Sequence, residues 1–308
     1  MRFLVTGAAG FIGYHLSTSL LKRGFEVYGV DDLSRGSAKR VEELRKTGMN
    51  FFKIDVCDLS KVRDLVSRTR PDVVVHLAAL ISVPESFEKP ELYRRVNAYG
   101  TWVVASAANE ARVERFVYVS SAAVYGDPLY LPIDEKHPTK PISPYGLSKL
   151  EGEQWVLKAF QTGCSIILRL FNVYGPGQST EYAGVITRFI ERLSRGEPPI
   201  IFGDGNQTRD FIHIADVVDA VIKASTASLA ESEILNVGSG KAVKIIDLAR
   251  LLIRLFGLDL EPIHSDPRPG DIRHSYADIS RIKSVLGWQP KISLEEGLKR
   301  LLENLRSG

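Results

Sequence analysis

The sequence predicts an α/β fold in which a doubly wound parallel sheet is followed by a smaller mixed α/β region. Apolar, valine-rich runs of strand length alternate with helical patterns through the first half of the chain. These runs are apolar throughout, as strands covered on both faces of a parallel sheet are. A glycine-rich turn also joins the first run to the first helical pattern, which is typical of a strand–helix crossover unit.

The elements of the first half follow in a regular order. Strands are predicted at residues 2–6, 25–30, 49–54, 72–77, 115–119 and 165–170. Helices are predicted between them at residues 11–23, 37–46, 59–69, 91–110 and 144–161. Ser143 is a favourable N-cap and Pro144 suits the first helical position, so the last of these helices should begin there.

The regular alternation loosens after about residue 172. Helices are predicted at 182–195, 215–227, 243–256 and 293–305, with short strands at 198–202 and 235–237. We therefore expect one domain over residues 1–172, to which the chain returns around 208–238. A smaller domain is expected over residues 173–308.

Composition narrows the class of protein. The 308 residues carry a net charge of +3, and their basic residues are scattered, so no nucleic-acid partner is expected. Only Cys57 and Cys164 are present, which argues against a disulfide framework and fits a reducing cytoplasm. No apolar stretch is long enough for a transmembrane helix, and the first residues show no signal-peptide pattern. His76 and His213 lack neighbours with ligand spacing, so no metal is expected.

Three glycines form a Gly-x-x-Gly-x-x-Gly loop between the first strand and the first helix. Gly7, Gly10 and Gly13 allow a tight turn and close approach of backbone N–H groups to a pyrophosphate. Asp31 ends the second strand, where an acid binds both ribose hydroxyls and repels a 2′-phosphate. The sequence therefore favours NAD over NADP, although a nearby Arg35 is a candidate acceptor of that phosphate.

Tyr145 and Lys149 stand four residues apart and share one face of the predicted helix. An ammonium near a phenol favours the phenolate, so the pKa of Tyr145 should fall below its reference value of about 10. The pair is then a candidate general base near neutral pH. The alternative is a half-buried tyrosine beside an exposed lysine with no chemical role.

Several motifs occur in one order along nearly the whole chain. Besides the glycine loop and the Tyr145-x-x-x-Lys149 pair, they lie at residues 76–79, 120–126, 171–176, 209–213 and 268–271. In these motifs the chain resembles the extended short-chain dehydrogenase/reductases, specifically nucleotide-sugar epimerases of the UDP-glucose 4-epimerase type. The resemblance implies a Rossmann domain, bound NAD and a UDP-sugar substrate. It also implies a mechanism in which C4 of a UDP-hexose is transiently oxidised and the hydride is returned to its other face.

The resemblance also assigns residues. In the catalytic set Tyr145 is the base, Lys149 holds the phenolate and the nicotinamide ribose, and Ser121 holds the reacting hydroxyl. The predicted cofactor site consists of Gly7, Gly10, Phe11, Ile12, Gly13, Asp31, Asp32, Leu33, Asp55, Val56, Leu77, Ala78, Ala79, Asn97, Tyr145 and Lys149. For Asp55, contact with the adenine amino group and capping of the next helix remain open.

Substrate contacts follow from the same resemblance. Arg209 and Arg268 match phosphate-binding arginines, although surface salt bridges are the alternative for each. The remaining substrate positions are Ser121 and Tyr145 at the sugar, Asn172 at the diphosphate or sugar, Ile201 and Phe202 at the uracil, Asp271 at the ribose and Ser275 beside the sugar. Because Ser275 is small, we expect room for the N-acetyl group of UDP-hexosamines.

Two other classes of protein compete with an epimerase. A sugar-nucleotide 4,6-dehydratase also needs an acid and a base for elimination across C5 and C6. Relatives of that kind carry an Asp-Glu pair directly after the hydroxyl residue, where this chain has Ala122 and Ala123. Because methyl side chains transfer no protons, the sequence favours an epimerase. A non-catalytic NAD-binding regulator usually lacks the tyrosine or the lysine, and both are present here.

A homodimer is expected from the same resemblance, in which the helices at 91–110 and 144–161 pair with their copies. Their large side chains are Tyr93, Val96, Tyr99, Val103, Leu150, Trp155 and Leu157. The alternative is that these side chains pack on the sheet of their own subunit.

Overall fold

The structure of the protein is a computed structural model that describes residues 1–178, 184–229, 231–267 and 272–307. Contacts divide the chain into two compact units. The first unit contains Met1–Gly126, Thr139–Arg169 and Val218–Leu235, and the second contains Asp127–Pro138, Leu170–Val217 and Asn236–Gly308. Each unit therefore consists of three separate stretches of sequence.

The elements are numbered here in chain order over the described residues. The strands are β1 (Arg2–Thr6), β2 (Glu26–Asp31), β3 (Asn50–Lys53), β4 (Val73–His76), β5 (Arg115–Ser121), β6 (Cys164–Leu170), β7 (Asn172–Tyr174), β8 (Ile200–Phe202), β9 (Thr208–Arg209), β10 (Phe211–His213), β11 (Glu233–Val237), β12 (Val243–Lys244), β13 (Ile263–Ser265) and β14 (His274–Ser275). The α-helices are α1 (Phe11–Lys22), α2 (Ala38–Lys46), α3 (Leu59–Thr69), α4 (Val83–Glu88), α5 (Pro90–Tyr93), α6 (Gly100–Glu110), α7 (Pro144–Ala159), α8 (Val185–Leu193), α9 (Ile214–Thr226), α10 (Ile245–Phe256), α11 (Ser280–Leu286) and α12 (Leu294–Ser307).

A seven-stranded sheet has the strand order β11-β6-β5-β4-β1-β2-β3. β1 pairs in parallel with β2 on one side and with β4 on the other, and the β2–β3 and β4–β5 pairs are also parallel. The chain thus builds outward from β1 in one direction, returns, and builds from β4 in the other. Such a switch point opens a crevice at the carboxyl ends of the two strands. The predicted doubly wound α/β fold is confirmed.

One face of this sheet is covered by α3, α6 and α7, and α6 packs against both of the others. The buried core between them and the strands contains Leu4, Val30, Val74, Phe116 and Ile167 from the sheet, with Val62, Val66, Val103, Val104, Val156 and Phe160 from the helices and their ends. Every residue of β4 and β6 is buried, so both faces of these strands are covered, which explains why their sequences are largely apolar.

The predicted helix at 91–110 is interrupted in the structure. Between α5 and α6 the residues Arg94–Tyr99 form a π-helical segment. Such segments accommodate one extra residue per turn and frequently occur at functional sites. Here the segment carries Asn97, whose side chain is fully buried.

The second unit has small sheets and its own apolar core. β7 pairs with β10, β8 pairs with β13, and β9 lies between β12 and β14. α8, α10 and α12 contribute to a buried cluster of Ile186, Phe189, Ile190, Leu193, Leu248, Leu252, Ile253, Leu298 and Leu301. The predicted helix at 182–195 is shorter in the structure, where α8 runs from Val185 to Leu193 between caps at Gly184 and Ser194. Residues 179–183 lie outside the described part of the chain.

No helix in the described ranges combines the length and the apolar character that a membrane span requires.

Candidate active site

The glycine loop lies directly at the switch point between β1 and β4. Gly7 has a φ of +70°, and a Cβ added there would stand 2.8 Å from the backbone nitrogen of Ala78, just after β4. A Cβ added at Gly13 would collide with the carbonyl oxygen of Gly7. The loop is therefore too close to the neighbouring backbone to hold side chains at these positions.

The start of α1 suits a diphosphate. α1 begins at Phe11, and Gly10 at its N-cap supplies no side-chain hydrogen bond to the first turn. The N-terminal N–H groups of a helix and its dipole favour a bound anion, and a glycine cap leaves the approach to them open. Phe11, Ile12 and Gly13 thus form the first turn, in which backbone N–H groups can hold a dinucleotide pyrophosphate.

Asp31 ends β2 and fixes the glycine loop. Its carboxylate accepts hydrogen bonds from the backbone N–H groups of Ala9 at 3.1 Å and Leu33 at 2.9 Å. Burial raises its pKa, and the two backbone donors lower it in part. Asp32 accepts from the backbone and hydroxyl of Ser34, which closes the turn after the strand. The acid predicted for the ribose therefore lies beside the loop predicted for the diphosphate.

Asp55 does not cap the following helix, so that alternative is wrong. α3 is capped by Asp58, whose carboxylate accepts from the Lys61 N–H at 3.1 Å. Asp55 accepts from the Cys57 N–H at 2.9 Å and lies 3.5 Å from a guanidinium nitrogen of Arg95. An adenine contact therefore remains the proposed role of Asp55. The side chain of the adjacent predicted cofactor residue, Val56, is buried in the sheet core, which leaves its backbone for any such contact.

The segment after β4 is held from two sides. The Thr6 hydroxyl accepts from the N–H groups of Leu77 and Ala78 at 3.2 and 3.3 Å, and Ala79 follows in the same extended stretch. Asn97 exchanges two hydrogen bonds with the Leu80 backbone, at 2.8 and 2.9 Å. Its amide also donates to the Ser148 hydroxyl on α7 at 2.9 Å. Asn97 therefore ties the predicted cofactor loop to the helix that carries Tyr145 and Lys149.

Tyr145 and Ser121 are brought together by α7 and the end of β5. Ser143 caps α7 by accepting from the Gly146 N–H at 3.1 Å, which confirms the predicted helix start. The Ser121 hydroxyl lies close enough to the Tyr145 phenol to lower its pKa. The ring of Tyr93 lies edge-on to that of Tyr145, with 6.4 Å between ring centroids. The phenol and the hydroxyl that are predicted to hold one substrate oxygen are therefore neighbours.

The prediction that the pKa of Tyr145 falls below its ordinary value is wrong for this structure. Burial raises the pKa, and the hydrogen bond from Ser121 offsets only part of that rise. Lys149 is not exposed either: it is 3% accessible, and its ammonium donates to the Val119 carbonyl at 2.6 Å. That ammonium also lies 4.4 Å from the centre of the Tyr118 ring.

Burial also sets the protonation of Lys149. It lowers the lysine pKa to about 7, while the negative charge of Glu153 acts in the opposite direction. His76 is buried beside the lysine, and burial together with the lysine charge lowers its pKa to about 3. His76 exchanges hydrogen bonds with the hydroxyls of Thr6 and Thr101, at 2.6 and 3.0 Å, so its role is structural.

Sequence reasoning missed two charged residues that are buried near Lys149 and Ser121. Glu153 on α7 and Arg169 on β6 form a buried pair, with nitrogen–oxygen distances of 2.6 and 2.9 Å. The Ser120 hydroxyl donates to the same carboxylate at 2.5 Å. An arginine inside an otherwise apolar strand was the available signal, because such a charge is rarely buried without a partner.

The two alanines after Ser121 lie in a short 3₁₀ helix, Ala122–Val124. The Ser121 hydroxyl accepts from the Ala123 N–H at 3.2 Å, which orients it at the strand end. The methyl groups of Ala122 and Ala123 offer no proton donor or acceptor beside the Tyr145–Ser121 pair.

Four residues predicted to bind substrate line one cleft of the second unit. Asn172, Ile201, Phe202 and Arg209 surround a volume of about 180 Å³. Sequence reasoning missed the other lining residues, which are Val185, Ile200, Gln207 and Ile245. The Gln207 amide donates to the Phe202 carbonyl at 2.7 Å, and its oxygen has no partner among the described residues. The cleft thus combines apolar walls with polar groups and one cation.

Ser275 stands directly opposite Arg209, since β14 pairs with β9 in that register. Arg268 and Asp271, also predicted to bind substrate, lie outside the described residues. In the described ranges no group of three or more His, Cys, Asp or Glu side chains is arranged to hold a metal ion.

The sheet topology, the glycine loop at its switch point and the Ser121–Tyr145–Lys149 set define a dinucleotide-dependent enzyme. Residues 3–238 match the family model described as the NAD dependent epimerase/dehydratase family. The chain therefore belongs to this family.

Individual relatives carry two kinds of name. The UDP-glucose 4-epimerase of Mycolicibacterium smegmatis is 39% identical over 313 residues, which cover 100% of this chain and 99% of that protein. The dTDP-D-glucose 4,6-dehydratase of Bos taurus is 36% identical over 98% of this chain and 88% of its own length. Among solved structures, the UDP-glucose 4-epimerase of Thermotoga maritima with UDP-glucose has a TM-score of 0.92 and 36% identity, covering 100% of this chain and 99% of that one.

Proposed function

We propose that the protein is an NAD-dependent isomerase that interconverts UDP-galactose and UDP-glucose by epimerisation at C4. The observation that carries the proposal is the Ser121 hydroxyl beside the Tyr145 phenol, with only alanines at the two positions after Ser121. The epimerase names of the Mycolicibacterium and Thermotoga relatives support the same activity.

In the proposed reaction Tyr145 takes the proton of the C4 hydroxyl and later returns it. Ser121 holds the C4 oxygen by a hydrogen bond, and the positive charge of Lys149 stabilises the tyrosinate from one helical turn away. A bound NAD would supply reversible hydride transfer at C4. Proton and hydride are both restored, so the reaction consumes no cofactor and the sugar changes only its configuration.

The pKa values define the pH dependence. Because burial raises the pKa of Tyr145, the phenol holds its proton at low pH and activity should rise as pH increases. Since the pKa of Lys149 is about 7, the lysine loses its charge below the pH at which the phenol ionises, so the form with an ionised Tyr145 and a charged Lys149 is a minor species between the two titrations. Activity should therefore be highest between the two titrations and fall at lower and at higher pH, which gives a bell-shaped pH profile.

NAD fits the first unit better than NADP. The Asp31 carboxylate lies beside the glycine loop, where it would oppose a 2′-phosphate. Arg35, the candidate phosphate partner, forms a 2.6 Å ion pair with Glu85. We propose that the first unit is the NAD-binding domain and the second the substrate-binding domain.

The second unit supplies groups suited to uridine diphosphate. An Arg209 guanidinium suits phosphate oxygens, and Asn172 adds an amide donor in the same cleft. Ile201 and Phe202 offer apolar surface to a base, and the Gln207 amide oxygen is an acceptor for a base N–H. These features support a UDP-sugar as substrate, with Arg268 and Asp271 as further proposed contacts.

The 4,6-dehydratase alternative is favoured by one observation, the 36% identity to the Bos taurus dehydratase. A dehydratase must also eliminate water across C5 and C6, which needs proton donors and acceptors at the sugar. Ala122 and Ala123 supply none at the positions where such groups are expected. The side chains therefore favour simple oxidation and hydride return at C4.

The direct experiment is to purify the protein without added cofactor and mix it with UDP-galactose. We expect UDP-glucose to form until the two sugars reach equilibrium, without external NAD, because the cofactor is regenerated in each turnover. A matched preparation of Tyr145→Phe should form none in the same time. Formation of a 4-keto-6-deoxy sugar would instead assign the protein to the dehydratases.

Ser275 provides a prediction about substrate range. Its small side chain leaves room for an N-acetyl group, so UDP-N-acetylglucosamine or UDP-N-acetylgalactosamine should also be turned over. Ser275→Tyr is expected to lower kcat/KM for the N-acetylated sugar roughly 10–200-fold relative to UDP-galactose, since steric rejection of a small group costs about 1–3 kcal/mol. Ser275→Ala is the control and should leave the ratio unchanged. An unaltered ratio in Ser275→Tyr would show that this position does not bound the sugar pocket.

We also propose a homodimer formed through the surface of α5, α6 and α7. Tyr93 and Val103 are buried in their own unit, so they do not belong to that surface. Tyr99 and Leu157 are exposed, and Tyr99, Trp102 and Trp155 form one aromatic patch in a groove of these helices. A monomer mass by light scattering at working concentration would refute the dimer.

The free thiols of Cys57 and Cys164 support the proposal of a reducing cytoplasmic location.

A further inference from the structure

Glu153 connects the three elements that surround the proposed catalytic residues. It follows Tyr145 and Lys149 on α7 at intervals of four residues, so the three side chains share one helix face. Its carboxylate accepts from Ser120, the neighbour of Ser121 on β5, and from Arg169 on β6.

This carboxylate is almost completely enclosed. Glu153 is 2% exposed and Arg169 is 4% exposed. The guanidinium of Arg169 also lies over the ring of Tyr125, with 4.8 Å between its carbon and the ring centre. A buried charge of this kind is costly unless its partners are fixed, so the positions of α7, β5 and β6 are coupled through it.

Lys149 depends on this charge more than an exposed lysine would. The titratable groups near Lys149 are Tyr145 and Glu153 on its own helix, Tyr118 on β5 and His76 on β4. Tyr93 on α5 lies beside Tyr145, and Arg169 on β6 lies beside Glu153. His76 is neutral and the tyrosines Tyr93 and Tyr118 have raised pKa values. Of the groups just named, Glu153 is therefore the one that supplies negative charge near neutral pH.

We propose that Glu153 is a positioning residue for the C4 oxidation: its charge keeps the buried Lys149 protonated, and its hydrogen bond to Ser120 holds the strand end that presents Ser121. The inference rests on the proposed function, since it assigns Lys149 the task of stabilising a tyrosinate. The Arg169 guanidinium, with nitrogen–oxygen distances of 2.6 and 2.9 Å, compensates the charge of the carboxylate in the core. With a lysine pKa of about 7, a modest change in local charge decides whether Lys149 is charged at working pH.

The test compares Glu153→Gln with Glu153→Asp in the holoenzyme. Glutamine keeps a side chain of the same size and can still accept from Ser120, but it removes the charge. We expect Lys149 to lose its charge at a pH that is lower by roughly one unit or more than in the wild type, and Tyr145 to ionise at a higher pH. At neutral pH kcat should fall about tenfold or more while KM changes less. Aspartate keeps the charge and should retain the wild-type pH profile.

The ionisation of Tyr145 can be followed without turnover. The phenolate absorption of each holoenzyme is titrated and compared with that of its Tyr145→Phe counterpart. If Glu153→Gln does not fold, the double variant Glu153→Met, Arg169→Met removes both charges without leaving either one unpaired, and it should shift the titration in the same direction. A folded variant without the Glu153 charge that titrates like wild type would overturn the proposal.

The wild-type reaction separates this inference from the function on which it rests. A wild-type holoenzyme that fails to epimerise UDP-galactose contradicts the proposed function, whatever the variants do. The other outcome is that the wild type is active, while Glu153→Gln and Glu153→Asp lose activity equally and keep the wild-type pH profile. That result would leave the proposed function intact and would show that Glu153 is only a structural residue.

Discussion

Tyr145→Phe is expected to lower kcat for the interconversion of UDP-galactose and UDP-glucose by roughly 10²–10⁴-fold, the usual contribution of a positioned acid–base group. Phenylalanine fills nearly the same volume, so the packing of α7 against β5 should persist. The group that is lost is the hydroxyl beside Ser121, the proposed acceptor of the C4 proton. Steady-state kinetics together with measured NAD content distinguish loss of chemistry from loss of cofactor.

Tyr93→Phe is the matched control for this change. Tyr93 lies beside Tyr145, and its hydroxyl donates to Glu85 at 3.1 Å rather than to Ser121. Removing that hydroxyl should cost about 1 kcal/mol of stability and leave kcat within a few-fold of wild type. If both variants lost activity equally, the effect would belong to packing in this region and not to the Tyr145 proton.

Gly7→Ala is expected to reduce both the stability of the protein and its retention of NAD. An alanine at Gly7 would adopt a φ of +70° and place its Cβ 2.8 Å from the backbone of Ala78. The strained φ costs about 1 kcal/mol, and displacing the Ala78 backbone adds about 1–3 kcal/mol more. Because this movement opens the crevice beside β1, NAD content after purification should fall tenfold or more.

Gly24→Ala separates conformational strain from the collision. Gly24 has a φ of +78°, but a Cβ added there meets no atom within 4 Å. This variant should lose only about 1 kcal/mol in the free energy of unfolding and keep its NAD. Chemical denaturation and cofactor release measure both quantities. Equal behaviour of Gly7→Ala and Gly24→Ala would show that the close approach at the switch point is unimportant.

The sequence predicted the sheet well because its signals are local. Uninterrupted apolar runs indicate strands covered on both faces, and Ser143-Pro144 marks the start of α7 through its own hydrogen bond. The cleft of the second unit was also anticipated at Asn172, Ile201, Phe202 and Arg209, through a resemblance of short motifs. No register or distance was needed for those predictions.

Other features depend on contacts between distant residues and carry no local signal. The π-helical turn at Arg94–Tyr99 places Asn97 against the Leu80 backbone, which no periodicity in residues 91–110 indicates. The short helix α4 was also missed, although Ser82 caps it through a bond to the Glu85 N–H.

The wrong prediction that the pKa of Tyr145 is lowered also comes from contacts that the local sequence does not reveal. Spacing alone places an ammonium near a phenol, but it does not reveal that Lys149 is buried and Tyr145 half-buried. Burial opposes the charged form of each side chain, so the pKa of Tyr145 rises and that of Lys149 falls. The compensating charge comes from Glu153, whose partner Arg169 is distant in sequence.

The most direct test of C4 epimerisation is the conversion of UDP-galactose in deuterated water, followed by NMR of the sugar. Oxidation and hydride return at C4 predict UDP-glucose that carries hydrogen at C4 and C5, because the hydride removed from C4 is the one restored. Elimination across C5 and C6 would exchange C5 with solvent. Deuterium at C5, or a 4-keto-6-deoxy product, would contradict the proposed function.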